Sequence, residues 1–88
     1  MMIQNPAKTN LKVIARAPFR IYYEGPARIV TATNQVGTFD ILPGHADFFS
    51  VLSSGDVLID AESGPISFSI GGGILCVSRD EVMIFVNM

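Results

Sequence analysis

The one histidine of this 88-residue chain, His45, stands between two carboxylates, Asp40 and Asp47, and directly after Pro43-Gly44. Such a trio could hold a metal in a loop, or the imidazole could serve as a general base. A general base needs a group to act on and a neighbour that orients it, and the chain has no Gly-x-Ser-x-Gly nucleophile motif. Carboxylates beside turns are usually solvated or accept hydrogen bonds from the turn. Leu42-Pro43-Gly44-His45 itself reads as a type II β-turn: proline sets φ at the second position and glycine supplies positive φ at the third. His45 then either locks the loop through nearby backbone or touches a partner. Neither catalysis nor a bound metal is expected.

The other reactive residue types are no more suggestive of catalysis. Gly71-Gly72-Gly73 lacks the lysine and the following helix of a phosphate loop, and suits a bulge or a close approach of two backbones. Cys76 is the only cysteine, so it has no internal disulfide partner; this fits a reducing compartment, and the residue reads as a small buried hydrophobe. Tyr22 and Tyr23 are neighbours, so one should face inward and one outward. No cofactor is expected.

The elements that would carry these residues are strands. "LKVIAR" (residues 11–16), "DVLID" (56–60) and "ISFSI" (66–70) alternate apolar and polar side chains with period two, and "RIVTAT" (28–33) is rich in β-branched residues. Turn signals recur about every ten residues, at Glu24-Gly25-Pro26, Asn34, Pro43-Gly44, Ser54-Gly55, Ser63-Gly64-Pro65, Gly71-Gly72-Gly73 and Ser78-Arg79-Asp80. This spacing predicts an all-β sandwich or barrel of antiparallel strands, because crossover helices would not fit. "VMIFV" (residues 82–86) is apolar on both faces. Either it is a central strand covered on both sides, or one face is open to a partner.

Bulk composition favours a partner. The chain is 49% hydrophobic and 16% charged, with mean hydropathy +0.42 and net charge −2. A single domain of this length buries roughly 60–65% of its unfolded surface, and such an apolar chain is either all core or carries an exposed apolar patch for a partner. No cluster of Lys and Arg offers a footprint for nucleic acid. The apolar runs fall far short of the about 20 residues of a membrane-spanning helix, and the first ten residues lack the regions of a signal peptide. Residues 1–10 are expected to be a flexible tail and residues 11–88 one folded domain.

In order along the chain come Gly-Thr-Phe-Asp-Ile-Leu-Pro-Gly-His-Ala (residues 37–46), Leu-x-x-Gly-x-Val-x-Ile (52–59), Gly-Gly-Ile-Leu-x-Val (72–77) and Val-x-Ile (82–84). This succession resembles the N-terminal β-sandwich domain of the epsilon subunit of F-type ATP synthases. The resemblance implies a flattened antiparallel β-sandwich of two roughly five-stranded sheets, at the foot of the rotor stalk. It implies a non-catalytic subunit that couples gamma to the membrane c ring during proton- or sodium-driven ATP synthesis. The subunit would be peripheral, on the cytoplasmic face of a bacterial-type membrane.

By the same resemblance, Gly44, His45 and Ser50 would meet gamma, and the segment of Val36, Thr38, Phe39 and Asp40 would face the c ring. Some family members carry a carboxylate where this chain has Thr38. Asp40 and Asp47, which stand where glycine and proline are common, could supply that charge instead. The family's C-terminal helical hairpin has no counterpart before Met88, so neither braking of hydrolysis nor nucleotide binding is expected. The competing reading is a free-standing β-sandwich interaction module with the same fold and another partner.

Overall fold

The computed structural model describes residues 10–87; of the expected tail at residues 1–10, residues 1–9 lie outside them. Eight strands follow one another: β1 (Leu11–Ala17), β2 (Arg20–Asn34), β3 (Gly37–Ile41), β4 (Phe48–Leu52), β5 (Gly55–Ala61), β6 (Gly64–Ile70), β7 (Gly72–Ser78) and β8 (Glu81–Asn87). No helix interrupts them among the described residues. All eight belong to one hydrogen-bonded sheet in the order β4-β7-β8-β1-β2-β5-β6, with β3 on β2.

The sheet is folded on itself because β2 serves two layers. Its first part pairs with β1 through Ala27↔Leu11, and its second part pairs with β3 and β5 through Val30↔Ile41 and Val30↔Ile59. Between them the register with β5 slips by one residue at Arg28. A bulge bends the strand that carries it, and bulged strands make the corners of sandwiches. Tyr22, before the bend, stacks on Phe68 of β6 at 4.5 Å between ring centroids, which spans the two layers. One layer is therefore β4-β7-β8-β1 with the first half of β2, and the other is β3, the second half of β2, β5 and β6. This is the expected sandwich, with one continuous sheet in place of two and layers of five and four strands.

The core lies between the layers and follows from alternation. Leu11, Val13 and Ala15, then Val57 and Ile59, then Leu75 and Val77, then Val82 and Ile84 all point inward and are buried. Burying a side chain of this size contributes about 1.5–3 kcal/mol. Gly73 permits one close contact: a Cβ there would lie 2.4 Å from the Phe85 carbonyl oxygen of the facing strand.

Four expectations are corrected. Glu24-Gly25-Pro26 is not a turn; β2 runs through it, with Pro26 opposite Lys12 and beyond the last β5 pair at Ala27. Not every pair is antiparallel, for β1 and β8 pair parallel; the limit on crossover length does not apply, since the whole domain connects them. Tyr22 and Tyr23 do not alternate in and out. The β1–β2 register slips between Ala15 and Arg16 and leaves Tyr22 without an opposite residue, so both rings pack on the core. Tyr23 then donates its hydroxyl proton to the Pro26 carbonyl. Cys76 is half-buried on the outer face rather than in the core, because its neighbours Leu75 and Val77 occupy the inward positions.

Gly73→Ala is expected to lower the unfolding free energy by at least about 2 kcal/mol, since overpacking of this kind costs about 1–3 kcal/mol and the clash is with backbone. Denaturant unfolding followed by circular dichroism measures it; an unchanged midpoint would contradict the close β7–β8 approach.

Candidate functional site

The loop between β3 and β4 is fastened at several points. Leu42-Pro43-Gly44-His45 forms the expected type II turn: Gly44 has φ +85° and the His45 amide donates to the Leu42 carbonyl at 3.1 Å. The next turn, between β7 and β8, places Arg79 and Asp80 at φ +53° and +63°, the arrangement of a two-residue type I′ hairpin. The two turns hold each other. The Gly44 amide donates to Asp80 Oδ1 at 2.8 Å, and the Arg79 amide donates to Asp47 Oδ1 at 3.4 Å. His45 is half-buried; its Nδ1 lies 2.7 Å from the Ala46 carbonyl and its ring meets Phe48 edge-on at 5.4 Å.

Among the described residues no group of three His, Cys, Asp or Glu side chains converges to hold a metal, so Asp40, His45 and Asp47 do not meet as ligands. Asp40 accepts from the Thr31 hydroxyl at 2.7 Å, on the outer face of β3. Thr38 shares that face and lies opposite Thr33, their hydroxyls 3.3 Å apart. Phe39 points the other way, onto the core, with its ring against Phe48. Asp47 is occupied at the β7–β8 turn, apart from the Thr38–Asp40 face.

Ser50 is 8% exposed and turned inward, where it accepts from Asn34 Nδ2 at 3.1 Å. The other end of Asn34 caps the β2–β3 turn: its Oδ1 accepts from the amides of Val36 and Gly37 at 2.9 and 3.2 Å. The Ser53 amide donates to the Thr33 carbonyl and ties the same corner. Val36 is left at the tip, wholly exposed.

The outer face of the β4-β7-β8-β1 layer is a different kind of surface. Cross-strand register aligns its outward residues in rows. One row runs Phe49, Cys76, Met83, Ile14; the next runs Val51, Ile74, Phe85, Arg16. Phe49 and Val51 are 61% and 66% exposed, and Ile74, Met83 and Phe85 are also open to solvent. At the side of Arg16 the rows end in a depression of about 720 Å³ lined by Pro18, Val51, Ile74 and Phe85. A third row, Ser78, Glu81 and Lys12, is polar and borders the apolar ones. The outer face of the other layer is polar in comparison: Asp56 accepts from Ser69 at 2.7 Å, and Arg28 pairs with Asp60 at 3.2 Å. That bond and the Asp60 charge raise the Arg28 pKa further.

The "VMIFV" strand is thus central, yet among the described residues only its Val82, Ile84 and Val86 face is covered. Sequence reasoning placed the contact residues on the turns and left open which side of this strand was bare. The signal lay in alternating apolar residues at Phe49 and Val51, whose face is fixed only once Ser50 and Leu52 point inward.

The described residues thus form a two-layer β-sandwich with bonded turns and one apolar outer face. The chain belongs to the ATP synthase delta/epsilon family: it matches "ATP synthase, Delta/Epsilon chain, beta-sandwich domain" over residues 9–88. It is 33% identical over 78 residues to the ATP synthase epsilon chain of Synechococcus elongatus, covering 89% of this chain and 57% of that one. It is 31% identical over 78 residues to the chloroplastic epsilon chain of Stigeoclonium helveticum, covering 89% and 58%. This chain therefore spans rather more than half the length of these relatives. Its fold is similar to chains in the mitochondrial ATP synthase structures of Euglena gracilis (TM-score 0.81, 20% identity, 89% of this chain and 51% of that one) and Tetrahymena thermophila (TM-score 0.77, 20% identity, 92% and 66%).

Gly44 has open space where a Cβ would stand, so a substitution there meets only the backbone constraint. Gly44→Val is expected to destabilise by about 1–2 kcal/mol or more, because L-residues resist this region and β-branched ones most. Gly44→Asn should recover much of the loss. Thermal melting of the two variants beside the parent checks this; equal melting of all three would refute the type II turn.

Proposed function

We propose that the chain is a non-catalytic central-stalk subunit of an F-type ATP synthase, seated between gamma and the c ring and coupling the ring's rotation to the shaft. It would lie peripherally at the cytoplasmic face of a bacterial-type membrane. Family membership supports the assembly, and the bare apolar face carries the argument for docking. Rows of aliphatic and aromatic side chains in contact with water disfavour a solitary existence, while their burial against a partner is favourable by about 25 cal/mol per Å² before the costs of association. Gamma is the occupant that the resemblance to epsilon subunits offers. On this reading Gly44, His45 and Ser50 act beside that face: His45 at its polar border, and Ser50 by holding Asn34 and the corner rather than by reaching out.

The opposite function, contact with the ring, falls to the end of the sandwich that carries the β2–β3 turn. Val36 stands at its tip, and Thr38 and Asp40 follow on the outer side of β3, while Phe39 supports them from beneath. Asp40 is the carboxylate on that strand, so it stands in for the charge that Thr38 lacks.

The test is co-purification from gently solubilised membranes, with the chain tagged at Met1. The parent should bring down gamma, the catalytic subunits and the c ring. The pair Ile74→Asp/Phe85→Asp should fold normally, since both residues face solvent, and should weaken recovery of gamma at least about 100-fold, the range of two central interface residues. Recovery of an intact synthase without the parent chain would refute the proposal. Asp40→Asn should weaken retention of the ring at low salt, with the difference vanishing near 1 M salt, where the screening length is about 3 Å; a salt-independent effect, or none, would remove Asp40 from the contact.

A further inference from the structure

We propose that the depression at the Arg16 end of the apolar rows is a binding site for a small monoanionic amphiphile, a carboxylate on an alkyl chain of medium length. The site belongs to the chain by itself and does not rest on the stalk reading.

The depression exists because one position lacks a side chain. Strand parity puts Gly72 on the same outward face as Ile74, two residues along β7. With only hydrogen at Gly72, the space beyond the row of Val51, Ile74 and Phe85 is left empty on this strand, and Pro18 of the β1–β2 turn lines the hollow with them. Its volume, about 720 Å³, lies within the roughly 300–1,000 Å³ of small-molecule sites, which are mostly apolar with a few placed polar groups. Here Arg16 supplies the one polar side chain among the lining residues.

Arg16 is half-buried, and its guanidinium forms no hydrogen bond or ion pair among the described residues. Its strand neighbours are Phe85 and Ile21, both apolar. Glu24 and Glu81 stand one and two rows away, opposite Ile14 and Lys12. Arg20 is occupied over the Tyr22 ring, 4.7 Å from its centroid, and Arg28 is paired with Asp60. A guanidinium binds a carboxylate through two parallel hydrogen bonds. The single cation selects a single negative charge, and the walls of Val51, Ile74 and Phe85 select an apolar body. A polyphosphate would bring charges that no lining side chain matches. A peptide would have to bury backbone amides against walls that offer them no polar side chain but Arg16, which is costly.

Titration of the full chain with decanoate, below its micelle concentration, tests this by calorimetry and by amide NMR. The parent should bind one decanoate per chain, with shifts at Gly72, Gly73 and Val86 and none at Asp56 or Ser69 on the other layer. Decanol, equal in length and uncharged, should bind at least about 10-fold more weakly, the range of a charge-assisted hydrogen bond. Arg16→Gln should weaken decanoate about as much and leave decanol unchanged, while Arg16→Lys should recover part of the loss. Val51→Asp should weaken both ligands. Unaltered amide positions in β5 and β6 verify that each variant is folded. Equal affinity for decanoate and decanol, or shifts spread along the row of Phe49 and Met83, would overturn the site in favour of unspecific adsorption. Binding to anionic vesicles without binding to free decanoate would overturn it in favour of a membrane contact. Shifts at Gly72 and Gly73 that grow with chain concentration alone would overturn it in favour of a second copy.

Discussion

β2 runs unbroken from Arg20 to Asn34, and one extra residue at Arg28 turns it from one layer into the other. Because a single strand supplies both layers, their relative placement is set by covalent geometry and not by side-chain packing alone. The bend also fixes parity. A strand shows alternate residues to alternate faces, so once Ala27 and Val30 point inward, the pairings to β1, β3 and β5 decide which residues of those strands are core. β7, β8 and β4 inherit the choice in turn. A slip of one residue anywhere along this path would turn a core face into a solvent face, and it would also move the apolar rows of Phe49 and Ile74 out of line.

The two outer faces then take on opposite characters. The shorter layer carries hydroxyls and carboxylates bonded among themselves, with Leu58 exposed between them. The longer layer carries apolar rows that no other described residue covers. Between the layers, the Gly44–Asp80 and Arg79–Asp47 bonds join the loop that crosses from one layer to the other with a hairpin of the docking layer. These bonds tie the two layers to each other at that end without a flexible hinge.

The inner half of this arrangement was legible in the sequence. Leu11, Val13 and Ala15, and likewise Ile66, Phe68 and Ile70, announce their faces by alternation, and Pro43-Gly44 announces its turn. What escaped reading depended on neighbours that a linear pattern does not contain. Gly25-Pro26 looks like a stop, yet β1 holds the chain extended through it, and β5 ends where proline could not have bonded. A bulge spoils the alternation of Tyr22 and Tyr23. Cys76 sits in an apolar run whose two faces become distinguishable only when Leu75 is known to point inward. Of the candidate site, the turn that carries His45 was legible in Pro43-Gly44. The bare face was half legible, as an apolar surplus in "VMIFV" without a location.

The parallel pair of β1 and β8 has a consequence for how the molecule comes into being. β8 lies between β7 and β1, so the strand made last fills the middle of its layer. On a ribosome β1 waits while nearly the whole domain is synthesised, with Val13 and Ala15 lacking one of their two strand neighbours until Glu81–Asn87 has emerged. Contacts so distant along the chain form slowly, and the unfinished layer exposes strand edges in the meantime. Birth of this domain is therefore a closing step rather than a gradual accretion, and the nascent chain is most in need of protection just before its final strand arrives.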